Sequence, residues 1–368
     1  MAEYRIAAHP ILSAHDEARI RFTFNGKPLS ARPGEMIASA LFAAGIGVFG
    51  HHHRDQGPQG IFCANGQCSQ CTVLADGRPV KSCMTPVTPE LVVASCEGVP
   101  ALPADDALPR LGFPSERRVQ VLVLGGGPAG LSAAVELGRA GIEVLVVDDK
   151  PTLGGKLTLQ THGFFGSVAD CFAGVRGVDI GRQLEAAMRA LPTVEAWTSA
   201  TALGLFGDGR LGVATPDGYR LVAPEALLVA TGAREKALSF AGCDLPGVYG
   251  AGAFQTLVNR DLVKAARRLF VLGGGIVGLI GAYHALQAGI DVVGLVEALP
   301  ECGGYKVHAD KIRRLGVPIW TGHTVVKAAG SDRLERVTIA AVDERFEPLA
   351  GTEQTFEADT LLVAVGLS

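Results

Sequence analysis

The sequence predicts an α/β protein: a small β-grasp module followed by two Rossmann-like dinucleotide-binding units. Three observations predict it. A cleanly alternating strand pattern runs into Asn25-Gly26 near the front. Two triple-glycine loops, Gly125-Gly126-Gly127 and Gly273-Gly274-Gly275, each follow an apolar run and precede a helical pattern. The apolar runs beside them are continuous, as in parallel strands buried on both faces. A chain of 368 residues is long enough for two or three domains.

In residues 19–24, Ile20, Phe22 and Phe24 point one way while Arg21 and Thr23 point the other. Asn25-Gly26 then tolerates the positive φ of a tight hairpin. Pro33-Gly34 closes the second strand, and residues 35–44 read as a short apolar-faced helix ended by Gly45. Residues 72–74 and 79–82 read as strands around the turn Asp76-Gly77. This order is that of a β-grasp domain over residues 19–97, preceded by an arm, 1–18. Residues 98–118, "GVPALPADDALPRLGFPSERR", are proline-rich, charged and aperiodic, which predicts a linker. The pattern then becomes βαβ, once over 119–245 and again over 246–368.

The formal net charge of −4, with no basic field, argues against a nucleic-acid partner. The longest apolar stretch, residues 269–296, contains three glycines, His284, Gln287 and Asp291, so it reads as strand, turn, helix and strand rather than a transmembrane span. The first residues lack the apolar core of a secretory leader. A reducing, cytoplasmic compartment is therefore expected, where cysteines ligate metal more readily than they pair.

Cys63, Cys68 and Cys71 follow the pattern C-x4-C-x2-C, with Cys83 beyond. That is the spacing of plant-type [2Fe-2S] ligands. Three thiolates must converge on a compact dianionic core, so the chain has to curl tightly. Gly60, Ala64, Gly66 and Ser69 permit the curl and bring amides close to the sulfides. A zinc knuckle would need a second C-x2-C, and only one is present. Cys96, Cys171, Cys243 and Cys302 form no such pair and read as buried small hydrophobes. A disulfide reductase needs a paired dithiol, so the scatter argues against that activity. The run His51-His52-His53 alternates in direction and does not converge on one ion; hydrogen bonding near the cluster fits it better.

"VQVLVLGGGPAGLSAAVELGRAGIEVLVVDD" carries a full βαβ fingerprint. Gly125, Gly127 and Gly130 supply the tight turn, the close approach to pyrophosphate and the helix–strand packing. The helix starts at Pro128-Ala129 with its N-terminus toward the phosphates. Asp148 stands where a carboxylate binds ribose. The second copy has Gly273, Gly275 and Gly278, with Glu297 at the end of its second strand. A carboxylate there accepts from ribose hydroxyls and repels a 2′-phosphate, favouring NAD over NADP. A vestigial unit that binds adenylate weakly or not at all is the equal alternative.

With "LGGK" (Gly155, Lys156) and "LLVATGARE" (Thr231, Gly232), residues 119–368 resemble the pyridine-nucleotide-disulfide reductase superfamily, in which these pieces contact FAD. That resemblance implies a returning segment with a Gly-Asp motif to complete the FAD domain. "ADTLLVAVGLS" reads instead as the last strand of the second domain, so either the chain is part of a longer or split protein, or flavin binding is compromised. Lys156, His162 and Lys306 are candidates by position alone.

"RIRFTFNGKPLSARPGEMIASALFAAGIGV", "GPQGIFCANGQCSQC", "DLPGVYGAG" and "CGGYKVHADKIRRLGVPI" further resemble the α subunits of bacterial hetero-oligomeric amine and amino-acid dehydrogenases and oxidases. These include opine oxidases, D-hydroxyproline dehydrogenase, hydrogen cyanide synthase and, more distantly, sarcosine oxidase. The resemblance implies an electron-transfer subunit with FAD and a [2Fe-2S] cluster. It also implies a flavoprotein β subunit that oxidises the amine, a further small subunit, and location in the cytoplasm or at the inner membrane through the complex. Two other readings compete: a self-sufficient NAD(H):iron–sulfur oxidoreductase, and an assembly subunit with structural nucleotide sites.

Overall fold

The computed structural model describes residues 4–13, 19–101 and 112–368. The chain divides into two compact units. One combines residues 1–104 with 234–368, and the other comprises 105–233.

In the first unit, the strands Ile20–Phe24 and Lys27–Ala31 form the expected hairpin, with Asn25 and Gly26 both at positive φ. Ile20–Phe24 pairs in parallel with Leu91–Glu97, which continues the sheet to Gly50–His51 and Pro58–Gln59. A second hairpin, Thr72–Ala75 with Arg78–Lys81, pairs antiparallel to Leu91–Glu97. The helix is shorter than its pattern, Ile37–Ala43. Glu35 falls outside it because its N–H closes a turn on the Arg32 carbonyl, its own carbonyl accepts from Val87 N–H, and Met36 after it bridges Pro86; its carboxylate meets Arg5 in a two-point pair at 2.7 and 2.9 Å. Both side chains are almost fully buried. The Tyr4–Ile6 stretch of the arm is strapped to the chain at 262–264: Arg5 bridges Val263, and Ile6 N–H donates to the Leu262 carbonyl at 2.8 Å.

The same unit holds the second βαβ fold. Its parallel sheet runs Val248–Gly250, Thr360–Val363, Arg268–Leu272, Asp291–Glu297, Ile319–Thr321. A three-stranded antiparallel sheet, His323–Ala329, Arg336–Ala341 and Gln354–Glu357, accompanies it. One apolar core joins the β-grasp residues Phe22, Ile37, Leu41 and Phe49 to Tyr249, Phe254, Leu279 and Leu295. The front module is thus packed into the last part of the chain, an arrangement that βαβ periodicity does not reveal.

The second unit is a six-stranded sheet, ordered Val194–Trp197, Val144–Val147, Ser115–Leu124, Gly218–Val229, Leu211–Thr215, Thr201–Leu205. The first four strands are parallel and the last two antiparallel. Val144–Val147 is buried along its whole length, as a two-faced parallel strand requires. The linker expected to end at 118 gives up its last residues to the sheet. Ser115 pairs with Arg220, because the long strand Gly218–Val229 offers partners beyond the apolar stretch. Residues 102–111 of that linker, like 1–3 and 14–18 of the arm, lie outside the described residues. The unit ends at Ala233, ahead of the expected boundary at 245. Among the described residues, no helix is long and apolar enough to cross a membrane.

Candidate cluster and nucleotide sites

The cysteine loop turns on two left-handed residues, Ala64 at φ +50° and Gly66 at φ +83°. That curl brings Cys63, Cys68, Cys71 and Cys83 into mutual contact. Cys63, Cys71 and Cys83 are buried and Cys68 is half-buried. Cys68 and Cys83 share their protons with Cys63, and Cys83 also with Cys71. The four thiols form one chain of contacts, Cys68 to Cys63 to Cys83 to Cys71. Among the described residues, no three His, Cys, Asp or Glu side chains surround a single point as ligands to one ion. Four adjoining thiols suit a two-iron core, which takes four cysteines.

The electrostatics favour thiolate at two positions. Cys63 is held far below the ordinary thiol range, first by the Cys68 and Cys83 thiols and then by the amides of Asn65 and Cys68. The Cys68 N–H reaches Cys63 Sγ at 3.3 Å. Cys71 is brought down to about 7, first by the Cys83 thiol and, against burial, by the Cys83 N–H. Cys68 and Cys83, the proton holders, are pushed up by that sharing and by burial. Amides aimed at sulfur suit thiolate ligands, so the residues fit the group. Lys81 Nζ donates to the Gly66 carbonyl at 2.6 Å and braces the loop. Cys68 also lines a largely apolar cleft of about 260 Å³ with Phe62, Gln70, Leu238, Phe240 and Asp244.

The histidine run does not serve the cluster. His51 bonds Glu97 at 2.7 Å and His52 bonds Asp55 at 3.0 Å, both on the surface. Of the scattered cysteines only Cys96 is buried; Cys243 and Cys302 are half-buried and Cys171 is exposed, because their segments are surface turns and a short exposed helix.

The two glycine loops are built alike. Gly125 and Gly273 sit at φ +103° and +110°, where a side chain would be strained and would strike the carbonyls of Ala230 and Ala364. A Cβ at Gly130 would lie 1.8 Å from the Gly125 carbonyl oxygen, and one at Gly278 1.9 Å from that of Gly273. At Gly127 the nearest atom is 3.9 Å away, and at Gly275 nothing lies within 4 Å. These two glycines therefore answer to no neighbour in the protein. Each caps the helix behind it, Pro128–Arg139 or Ile276–Gln287, whose first amides face outward past them.

The acidic residues correspond too. Asp148 accepts from Gly126 N–H at 2.7 Å and Lys150 N–H at 2.8 Å. Glu297 accepts from Gly274 N–H at 2.6 Å and Leu299 N–H at 2.9 Å. Each is thereby aimed across its glycine loop. A second glycine turn lies against each first one: Gly154 N–H bonds the Gly126 carbonyl at 2.8 Å, and Gly304 N–H the Gly274 carbonyl at 3.1 Å. The Gly303-Gly304 turn was not among the residues expected from sequence. Its signal was there, since Glu297 stands as far ahead of it as Asp148 does of Gly154-Gly155. Lys156 lies exposed on the short turn Gly155–Leu159. Thr231 and Gly232 lie exposed beyond the strand Gly218–Val229. Buried His162 bonds Gln160 at 2.7 Å, and exposed Lys306 pairs with Asp310 on its own helix.

Residues 119–368 match the family model of the pyridine nucleotide-disulphide oxidoreductases, and residues 17–98 that of a 2Fe-2S iron-sulfur cluster binding domain. The sarcosine oxidase subunit alpha of Rhizobium meliloti is 28% identical over 93% of this chain and 40% of its own length. The hydrogen cyanide synthase subunit HcnB of Pseudomonas aeruginosa is 28% identical over 67% of this chain and 56% of its own. The chain thus spans well under two thirds of either relative. The crystal structure of L-proline dehydrogenase from P. horikoshii superposes with a TM-score of 0.73 at 20% identity, covering 98% of this chain and 63% of that one, a likeness of fold.

Proposed function

The chain belongs to the pyridine nucleotide-disulphide oxidoreductase family, and from that premise we propose that it is the electron-transfer subunit of an amine or amino-acid dehydrogenase or oxidase. Its cofactors are FAD and a [2Fe-2S] cluster. When bound, the flavin takes up a hydride and the cluster passes single electrons, so together they convert two-electron to one-electron transfer. The observation that carries this reading is the loop that gathers four cysteines, in the same chain as a dinucleotide fold without a paired redox dithiol.

Cys63, Cys68, Cys71 and Cys83 would hold the two irons of the cluster. The surrounding amides offset the charge of the thiolates, and burial keeps water from three of the four. Gly125, Gly127, Pro128, Ala129 and Gly130 would cradle the FAD pyrophosphate. Asp148 would face the ribose, with Gly155, Lys156, Thr231 and Gly232 around the cofactor. Gly273, Gly275, Gly278 and Glu297 would take NAD or another adenine nucleotide. The related proteins named above include subunits by their own names, which supports a partner: a flavoprotein β subunit that oxidises the amine, with a further small subunit. The complex would work in the cytoplasm or at the inner membrane.

Anaerobic purification tests the cofactors. The chain should carry about two irons and two sulfides, with FAD, and give a reduced-state EPR signal; stoichiometric zinc without sulfide would refute the cluster. Dye reduction tests the role. With sarcosine, proline or an opine, activity should need the added β subunit, and substrate-dependent reduction by this chain alone would overturn it. The complete second glycine cradle favours one other reading, direct oxidation of NADH. Rapid bleaching of the cofactors by NADH alone would select it.

A further inference from the structure

Three elements of one compact unit meet behind the cysteine loop. Ala38 N–H bonds the Ser82 carbonyl at 3.0 Å, fixing the start of the Ile37–Ala43 helix against the residue before Cys83. One residue on, Ser39 Oγ donates to Asp261 Oδ2. Asp261 in turn receives two hydrogen bonds from Arg260, Nε to Oδ1 at 2.6 Å and Nη2 to Oδ2 at 2.8 Å. A charged pair from the second dinucleotide fold is thereby tied, through Ser39, to the helix whose first turn is bonded to the residue before Cys83. Ser39, Ser82 and Cys83 are buried; the Asp261 side chain is 9% exposed and that of Arg260 30%. Partly burying a charge pair is costly, and an apolar pair often serves stability as well or better.

The backbone that carries the pair is unusual on both sides. Residues Thr256–Arg260 form a π-helical turn, a rare form that is frequent at functional sites. Leu262 follows at φ +50°, a strained conformation for a residue with a bulky side chain. Arg32 Nη1 donates to the Asp261 carbonyl at 3.3 Å and holds the turn from the cysteine module.

We propose that the Arg260–Asp261 pair sets the reduction potential of the cluster, Arg260 favouring the reduced form and Asp261 tempering it. The inference rests on the cluster reading above. Reduction adds one electron, supplied by the flavin, and makes and breaks no covalent bond. The added negative charge is stabilised by a nearby cation and opposed by a nearby anion, most strongly where water is excluded. Arg260 acts by its charge, held in place by Asp261, and is a positioning residue. It makes the poise of the front module depend on a turn that belongs to the second dinucleotide fold.

The test is an EPR-monitored potentiometric titration of the anaerobically purified full chain, with iron and sulfide measured on every variant. Arg260→Gln should shift the reduction equilibrium about tenfold against the reduced form, about 59 mV for a one-electron couple. Asp261→Asn should move it in the opposite direction. Arg260→Lys should stay close to the parent. Opposite signs are what a merely structural role would not produce. Potentials that do not move, or that move the same way in Arg260→Gln and Asp261→Asn, would overturn the inference. Loss of the cluster from all three variants would also overturn it, by making the pair structural. Absence of iron and sulfide from the parent chain would instead refute the cluster reading.

Discussion

The helix behind the first glycine loop, Pro128–Arg139, keeps a wet face, with Ser132, Glu136 and Arg139 exposed. The helix behind the second, Ile276–Gln287, is buried nearly all round, His284 included. Yet the loops in front of them agree contact by contact: the left-handed first glycine, the close second contact at Gly130 or Gly278, the open glycine, the carboxylate and the pinned second glycine turn. Pyrophosphate chemistry constrains the loop and leaves the outer helix face free. That face instead reports what the unit packs on. Leu279, Ala282 and Ala285 share a core with Phe22 and Leu41 of the cysteine module, whereas Leu131 and Ala134 pack within their own unit. The two folds look like one motif used twice, but only the second is structurally part of the iron–sulfur module.

The largest expected effect breaks the comparison at the crowded glycines. Gly130→Val and Gly278→Val each force a side chain onto a backbone carbonyl, and each should cost about 3 kcal/mol. Their consequences should differ. Gly278→Val should lose iron and sulfide along with nucleotide, while Gly130→Val should lose flavin and keep cluster absorbance. Urea unfolding followed at cluster and flavin wavelengths would decide it, and equal loss from both variants would contradict the shared core. A smaller effect on stability comes from the open glycines. Gly127→Val and Gly275→Val replace a helix N-cap glycine and should cost about 1 kcal/mol. Each should nonetheless abolish retention at its own site, FAD for the first and adenine nucleotide for the second, because the side chain points into free space where the phosphates would lie. Flavin analysis and equilibrium dialysis with NAD measure the two. The mildest variants sharpen the comparison. Asp148→Asn and Glu297→Gln keep the shape and remove the charge, and each should weaken nucleotide binding about tenfold, ~1.4 kcal/mol. Titration calorimetry that found one weakened and the other unchanged would separate a working site from a vestigial one.

How much was legible follows from where each signal resides. Asn25-Gly26, the four cysteines at their spacing, and the glycines that begin each βαβ unit are local: they act through turn geometry, ligand reach and steric contact within a few residues. So the α/β class, the β-grasp module and the two nucleotide folds could be read from the chain. The end of the helix at Gly45 could also be read, but not its late start, because the backbones of Glu35 and Met36 are taken by Val87 and Pro86. Nor could the extension of the strand to Ser115, whose partner Arg220 is far along the chain. The Arg260–Asp261 pair carries no sequence signature, since its place depends on Ser39 and Arg32, residues from other elements. Local stereochemistry and ligand spacing by themselves determined which folds this protein contains and which residues are its candidate ligands. Only the tertiary structure decided which dinucleotide fold joins the cysteine module and which charged pair is tied to its helix, because burial of apolar faces and pairing of charges are settled between residues that the sequence keeps far apart.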